Sequence, residues 1–288
     1  TIMTANSTKP VVVSGAAGNL GSAVASALAD KGFKVLAAST DPRKLSAAES
    51  LRPVKMRYED QASVEDALAG AHGLFLIAPP LDPQAPAKLK PVIDTAKKAQ
   101  VEHIVFTSAF GVDQNEQNPL RIVERYIMDS GMNYTIVRPN FFMENFTSGF
   151  IAPMIAQGGI YLPAGEAETS FISTADIAAV AATVFETSLH GKAYNLTGPG
   201  ALDHASVARI ISDFAGKPIT YQAISEEEML RGAVENGLPE PQARYLGMLY
   251  AAVRSGWLAE VTGDVRSVTG RDPMDFQTFA ARHAADWK

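Results

Sequence analysis

Gly15-Ala16-Ala17-Gly18-Asn19-Leu20-Gly21 has the spacing G-x-x-G-x-x-G, set between a short β-branched run at 11–14 and an apolar pattern of helical period that begins at Leu20. Glycines here permit a tight turn and close backbone approach to a ligand. The start of the following helix adds unpaired N–H groups and a partial positive charge. The chemistry that fits is binding of a dinucleotide pyrophosphate, with Gly15, Ala17, Gly18, Asn19, Leu20 and Gly21 as contacts. The spacing alone is weak, and the strand before it and helix after it give it weight.

A fold that prefers NAD usually carries an acid about 20 residues after this loop, where it holds the ribose 2′-hydroxyl. Ser39 stands 18 positions beyond Gly21 and is followed by Thr40, Asp41, Pro42, Arg43 and Lys44. Hydroxyls and two cations at that place favour a 2′-phosphate, so NADP(H) is expected over NAD(H), held by Ser39, Thr40, Arg43 and Lys44. Asp41 is the competing signal, although Asp-Pro reads equally well as the start of a turn or helix. Arg43 and Lys44 also read as solvated surface charges.

Other chemistries lack their residues. The 288-residue chain has no cysteine, which removes disulfides, thiolate nucleophiles and Cys-containing zinc sites and is compatible with a cytoplasmic protein. His72, His103, His190, His204 and His283 form neither H-x-H nor H-E-x-x-H, so no metal site is expected and surface or loop positions are assigned to them. No G-x-S-x-G elbow occurs. With 25 basic against 31 acidic residues the summed field repels polyanions, which excludes nucleic acid as a direct partner. No apolar run approaches the roughly 20 residues that span a bilayer, so no membrane partner is expected.

The elements that must position the loop follow a β-α rhythm. Strands are expected at 11–14, 34–38, 54–58, 74–78, 103–108 and 134–138, with helices at 20–31, 88–100 and 120–129. Near-continuous apolar strands imply a parallel sheet covered on both faces. Ser63-Val64-Glu65-Asp66 reads as a capping box. After Pro139 comes an aromatic-rich stretch, a sheet-packed helix at 173–186, and helices at 206–215, 225–236, 240–255 and 275–285, the second of these four opened by Ser225 and Glu228. The expected fold is α/β: a doubly wound, Rossmann-type parallel sheet over 10–139, with a smaller, mainly helical substrate lobe over 140–288 interleaved with the last strands.

Beyond the loop, the chain carries 74–79, 102–108, Glu124 with Ser130-Gly131, the stretch Tyr134-Thr135-Ile136-Val137-Arg138-Pro139-Asn140, then Phe142-Met143-Glu144-Asn145, Asp176-Ile177-Ala178 and Tyr194-Asn195-Leu196-Thr197-Gly198. As a set these resemble the NmrA-like, atypical branch of the short-chain dehydrogenase/reductase superfamily, especially its bacterial triphenylmethane-dye and quinone reductases. The resemblance implies NADP(H) with Ala78-Pro79 on the adenosine-ribose side, Ser108 and Ala109 under the nicotinamide, and Pro139 and Asn140 beside it. Phe110, Phe141 and Phe142 would line the substrate pocket. Where relatives often carry a carboxylate after the third strand, this chain offers Arg57.

The superfamily's usual proton relay is a Tyr followed four residues later by Lys. None of the 8 tyrosines has that lysine, and the residue four before Glu124, often His in related dye and quinone reductases, is Leu120. Ser108 is the one catalytic candidate left, and as a strand-end serine it equally serves a backbone group. Two readings follow. One is hydride transfer from NADPH to a planar conjugated small molecule, such as a quinone or dye, that needs no strong general acid. The other is a non-catalytic NADP(H)-binding redox sensor acting through a protein partner. A homodimer is compatible with either.

Overall fold

The structure, a computed structural model, describes residues 8–288. Its first part runs β1 (Val11–Val13), α1 (Asn19–Asp30), β2 (Val35–Ser39), β3 (Leu51–Lys55), α2 (Gln61–Leu68), β4 (Gly73–Ile77), α3 (Ala85–Lys98), β5 (His103–Thr107), α4 (Pro119–Asp129) and β6 (Asn133–Pro139). It continues through α5 (Ala152–Ala156), β7 (Gly159–Leu162), α6 (Thr174–Thr187), β8 (Lys192–Leu196), α7 (His204–Ala215) and β9 (Thr220–Ala223). The last helices are α8 (Glu226–Glu235), α9 (Glu240–Arg254), α10 (Asp264–Thr269) and α11 (Phe276–Arg282).

Seven strands form one sheet in the order β3-β2-β1-β4-β5-β6-β8, and every pairing in it is parallel. The order reverses between β1 and β4, which opens a crevice at the carboxyl ends of the strands. The period of two sorts the side chains. Val11, Val13, Phe75, Val105 and Val137 pack under α1 and α6, whereas Val12, Leu74, Leu76, Ile104, Phe106 and Ile136 pack under α2, α3 and α4. A third cluster, built around Phe146, Phe171, Ile211, Tyr250 and Phe276, lies in the chain after β6.

Two expectations about these elements change. The third strand is Leu51–Lys55, three residues earlier than its apolar signal, because Leu51 pairs with Val35 while Met56 and Tyr58 pack as a connection after the strand. Helix α2 is capped by Asp60, which accepts from the Ser63 N–H at 3.3 Å. Ser63 therefore sits inside the first turn and is not a capping-box residue. The box at Ser225 and Glu228 does form on α8. Also, α10 and the two-stranded parallel sheet β7-β9 carried no distinct sequence signal.

The histidines also depart from the surface assignment, since His72, His103 and His204 are buried. His103 opens β5 and its Nε2 lies 2.9 Å from Thr135 Oγ1. His204 opens α7 among aromatic rings, with Phe171 at 5.5 Å and Tyr221 at 5.6 Å between centroids. Burial pushes the pKa of each down to about 4. Among the described residues no cluster of potential ligands could hold a metal ion, and no helix is long and apolar enough to cross a membrane.

A histidine whose folded pKa lies below its unfolded value of about 6.5 supports the fold fully above that pH and loses this support as pH falls toward the folded pKa. Unfolding midpoints in urea should therefore drop between about pH 6.5 and 4. His204→Phe, which keeps a ring in the aromatic cluster, should make that decline shallower. An unchanged slope in the variant would show that His204 contributes none of it.

Candidate active site

Every connection singled out in the sequence emerges at the carboxyl edge of the sheet. The glycine loop leaves β1 there, 40–44 leaves β2, Ala78-Pro79 leaves β4, Ser108 to Phe110 leaves β5 and Asn140 to Phe142 leaves β6. Parallel pairing alone brings these segments, up to 127 residues apart from Gly15 to Phe142, to one rim.

The switch point is pinned below the glycine loop. Ser14 Oγ accepts from the Ile77 N–H at 2.8 Å, and the Tyr58 hydroxyl donates to Ile77 O at 2.6 Å while lying 2.9 Å from Ser14 Oγ. Burial pushes the Tyr58 pKa up to about 12, so this phenol keeps its proton. Above the pin, Gly15 has φ +60°, and a Cβ on Gly21 would stand 2.1 Å from Gly15 O. Only glycine lets the first turn of α1 touch the loop. Gly18 is the N-cap of this 12-residue helix and brings no side chain to cap it. Its first-turn donors therefore face the rim. Gly15, Ala17, Gly18 and Asn19 are exposed there, while Leu20 and Gly21 are buried in the joint. Asn19 Nδ2 donates to Ser148 Oγ at 2.8 Å, tying the loop to the segment after β6.

At the end of β2, Ser39 is buried and Thr40, Arg43 and Lys44 are exposed. Asp41 behaves as the turn starter, accepting from the Arg43 N–H at 3.2 Å as N-cap of a single 3₁₀ turn over Pro42–Lys44. The same carboxylate takes Arg43 Nε at 2.8 Å and Nη2 at 3.1 Å. Hydrogen bonding to Arg43 lowers the Asp41 pKa. Arg57, after β3, is exposed, and its N–H donates to Ser63 Oγ.

Beyond β5 the site rests on buried ions. Glu124 of α4 is fully buried; Arg138 Nε and Nη2 reach its two oxygens at 2.8 Å each, and Arg121 Nη1 adds a contact at 2.9 Å. Arg138 Nη1 also reaches Asp113 at 3.1 Å, which anchors the connection carrying Phe110. Burial alone would raise the Glu124 pKa, but Arg138, Ser108 and Arg121 outweigh it and hold the carboxyl below its usual range. Ser108 Oγ is buried beside this carboxylate without a well-formed hydrogen bond of its own. Tyr126, the tyrosine on α4, turns away and donates to Asp94 of α3 at 2.7 Å.

The aromatic candidates separate. Phe110 and Phe141 pack with the cluster after β6, where Phe141 meets Tyr250 edge-on at 5.8 Å between centroids. Phe142 packs on the core beneath α1 and α6 and forms a bridge to Ile172. The Asn140 side chain is engaged within the protein, donating to Ser170 Oγ and Leu258 O at 2.8 Å each. A cavity of about 270 Å³ is lined by Met143, Phe171, Leu202, Ile210 and Phe276, and by none of the predicted residues. Tyr58, Ser148 and Arg138 were not singled out for these roles, since each acts through partners far away in the chain.

Glu124→Gln leaves two arginines facing a neutral amide and should destabilise the protein by about 3–5 kcal/mol. The depressed pKa of Glu124 means that its support is present above about pH 4.3 and is lost as pH falls through the folded value. Urea titrations of the variant should accordingly show a smaller loss of stability below pH 4 than the parent protein. An equal acid loss in both would rule out this role.

The chain is similar to several known proteins. An NAD(P)H azoreductase of Xenophilus azovorans is 32% identical over 284 residues, covering 96% of this chain and 98% of that protein. Prestalk A differentiation protein A of Dictyostelium discoideum is 31% identical over 276 residues, with 94% and 91% covered. The NADPH complex of an Escherichia coli NADPH-dependent quinone oxidoreductase superposes with a TM-score of 0.82 at 27% identity, over 94% of this chain and 99% of that one. The profile of the NmrA-like family matches residues 7–255, and the chain is a member of that family.

Proposed function

We propose that the protein is an NADPH-dependent reductase that transfers hydride to a planar conjugated acceptor such as a quinone or an azo or triphenylmethane dye. The observation that carries this reading is what α4 lacks. Its Tyr126 is bonded to Asp94 on the outer side, and Glu124 is held ionised by Arg138 and Arg121. Neither group has a proton to give at the rim. Carbonyl reduction gains about 10²–10⁴-fold from a placed acid, so an acceptor that delocalises the incoming charge is the substrate this site can serve.

The cradle fits a dinucleotide, because a Cβ on Gly21 would fill the space against Gly15 O and the first turn of α1 carries no side-chain cap. NADP(H), when bound, supplies the hydride and the reactive ring. The loop 15–21 holds the pyrophosphate, while Ser39, Thr40, Arg43 and Lys44 meet the 2′-phosphate. Ala78, Pro79, Ser108, Pro139 and Asn140 form the floor and sides. Phe110 and Phe141 present a flat apolar wall that orients an aromatic acceptor and excludes water. The chain from 140 onward acts as the substrate lobe, and the protein works in the cytoplasm.

Purified protein should oxidise NADPH with quinones or dyes at a kcat/KM about 100-fold or more above that with simple ketones. Comparable turnover of simple ketones would overturn the reading. Gly21→Ala should lose NADPH binding in calorimetry, and retained affinity would remove the loop from the site. A second reading, an NADP(H) sensor acting through a protein partner, is favoured by the differentiation protein among the relatives. Tight NADPH binding with no turnover on any acceptor would establish it.

A further inference from the structure

The turn after β2 holds both signs of charge that discriminate the two nicotinamide dinucleotides. An acid at this place accepts the ribose hydroxyls of NAD, whereas an arginine receives the 2′-phosphate of NADP. Asp41 and Arg43 are paired with each other. Two guanidinium donors, Nε and Nη2, reach the two carboxylate oxygens at 2.8 and 3.1 Å. The Asp41 backbone is fixed as well, because its N–H donates to buried Ser39 Oγ at 3.2 Å and Pro42 follows it. Arg43 is the more exposed partner, with a side chain 88% exposed against 28% for Asp41. Lys44 is the other cation acting on Asp41.

We infer that Asp41 is the residue that sets cofactor selectivity, by holding Arg43 back from the 2′-phosphate and by offering its own carboxylate to an unphosphorylated ribose. The inference rests on the dinucleotide-binding reading of the rim. An exposed ion pair of this kind is weak and opens readily. NADPH binding must exchange it for a guanidinium–phosphate pair and leave the Asp41 carboxylate beside a phosphate of like charge. NADH meets no such conflict. The parent protein therefore binds both nucleotides, with a preference for NADPH smaller than the two cations alone would give.

Isothermal titration of NADPH and NADH against the full chain tests this without reference to turnover. Asp41→Asn keeps an oxygen for the Arg43 N–H but removes the charge. It should tighten NADPH about five- to tenfold, as expected for relieving one unit of like charge near 4 Å in a largely aqueous setting. The same variant should weaken NADH, and its gain for NADPH should shrink in high salt. Arg43→Gln should weaken NADPH and leave NADH unchanged. In the double variant the Asp41→Asn gain should be reduced, because part of it acts through Arg43. If Asp41→Asn leaves the ratio of the two affinities unchanged while NADPH still binds, the inference falls and the proposed function stands. If neither nucleotide binds the parent protein, both fall.

Discussion

The approach of α1 to the end of β1 is the constraint around which the rest is arranged. Gly15 O occupies the space where any side chain at Gly21 would begin, so helix and loop meet backbone to backbone. That contact aims the helix axis, with its uncapped first turn, at the crevice between β1 and β4. Tyr58 and Ser14 secure the same spot from below by joining the connection after β3 to the end of β4. Displacing any one of these groups would move the donors of the loop away from the place where the strand order reverses.

On the other side of the crevice, the protein relies on charge buried in a fixed arrangement. Glu124, Arg138, Arg121 and Asp113 join α4, β6 and the connection after β5 into one unit. Removing three ionised side chains from water is unfavourable unless their geometry is nearly ideal, and the two-pronged contact of Arg138 with Glu124 supplies that geometry. The unit keeps Glu124 ionised and lends the rim rigidity in place of acidity. Hydride chemistry on an already electron-poor acceptor asks for placement above all, which is what a rigid rim gives.

Much of this was legible from the residues. Near-continuous apolar strands and the glycine spacing sufficed for the sheet and the loop. What escaped has a common physical cause. The third strand lies at an edge and is half solvated, so its composition, Leu-Arg-Pro-Val-Lys, carries no strand pattern. Asp60 and Ser63 both suit a helix cap, and the bonds of Ser63 to the Arg57 backbone decide between them. His103 and His204 are polar by type, yet their rings fill aromatic space on elements whose burial depends on distant packing. Tyr58, Arg138 and Ser148 act across separations of 19, 14 and 129 residues, which no local pattern encodes.

The outer edge strand β3 has a bearing on how copies of this protein can meet. Met56 N–H turns inward to Ser39 O, so by alternation the nitrogen of Pro53 faces away from the sheet. That position is the centre of the five-residue strand, and it has no hydrogen to offer an incoming chain. Exposed Arg52 and Lys55 flank it with positive charge. The β3 side of a long parallel sheet is thereby closed to strand addition, and a molecule whose sheet ends this way is protected from growing into a continuous ribbon on that side.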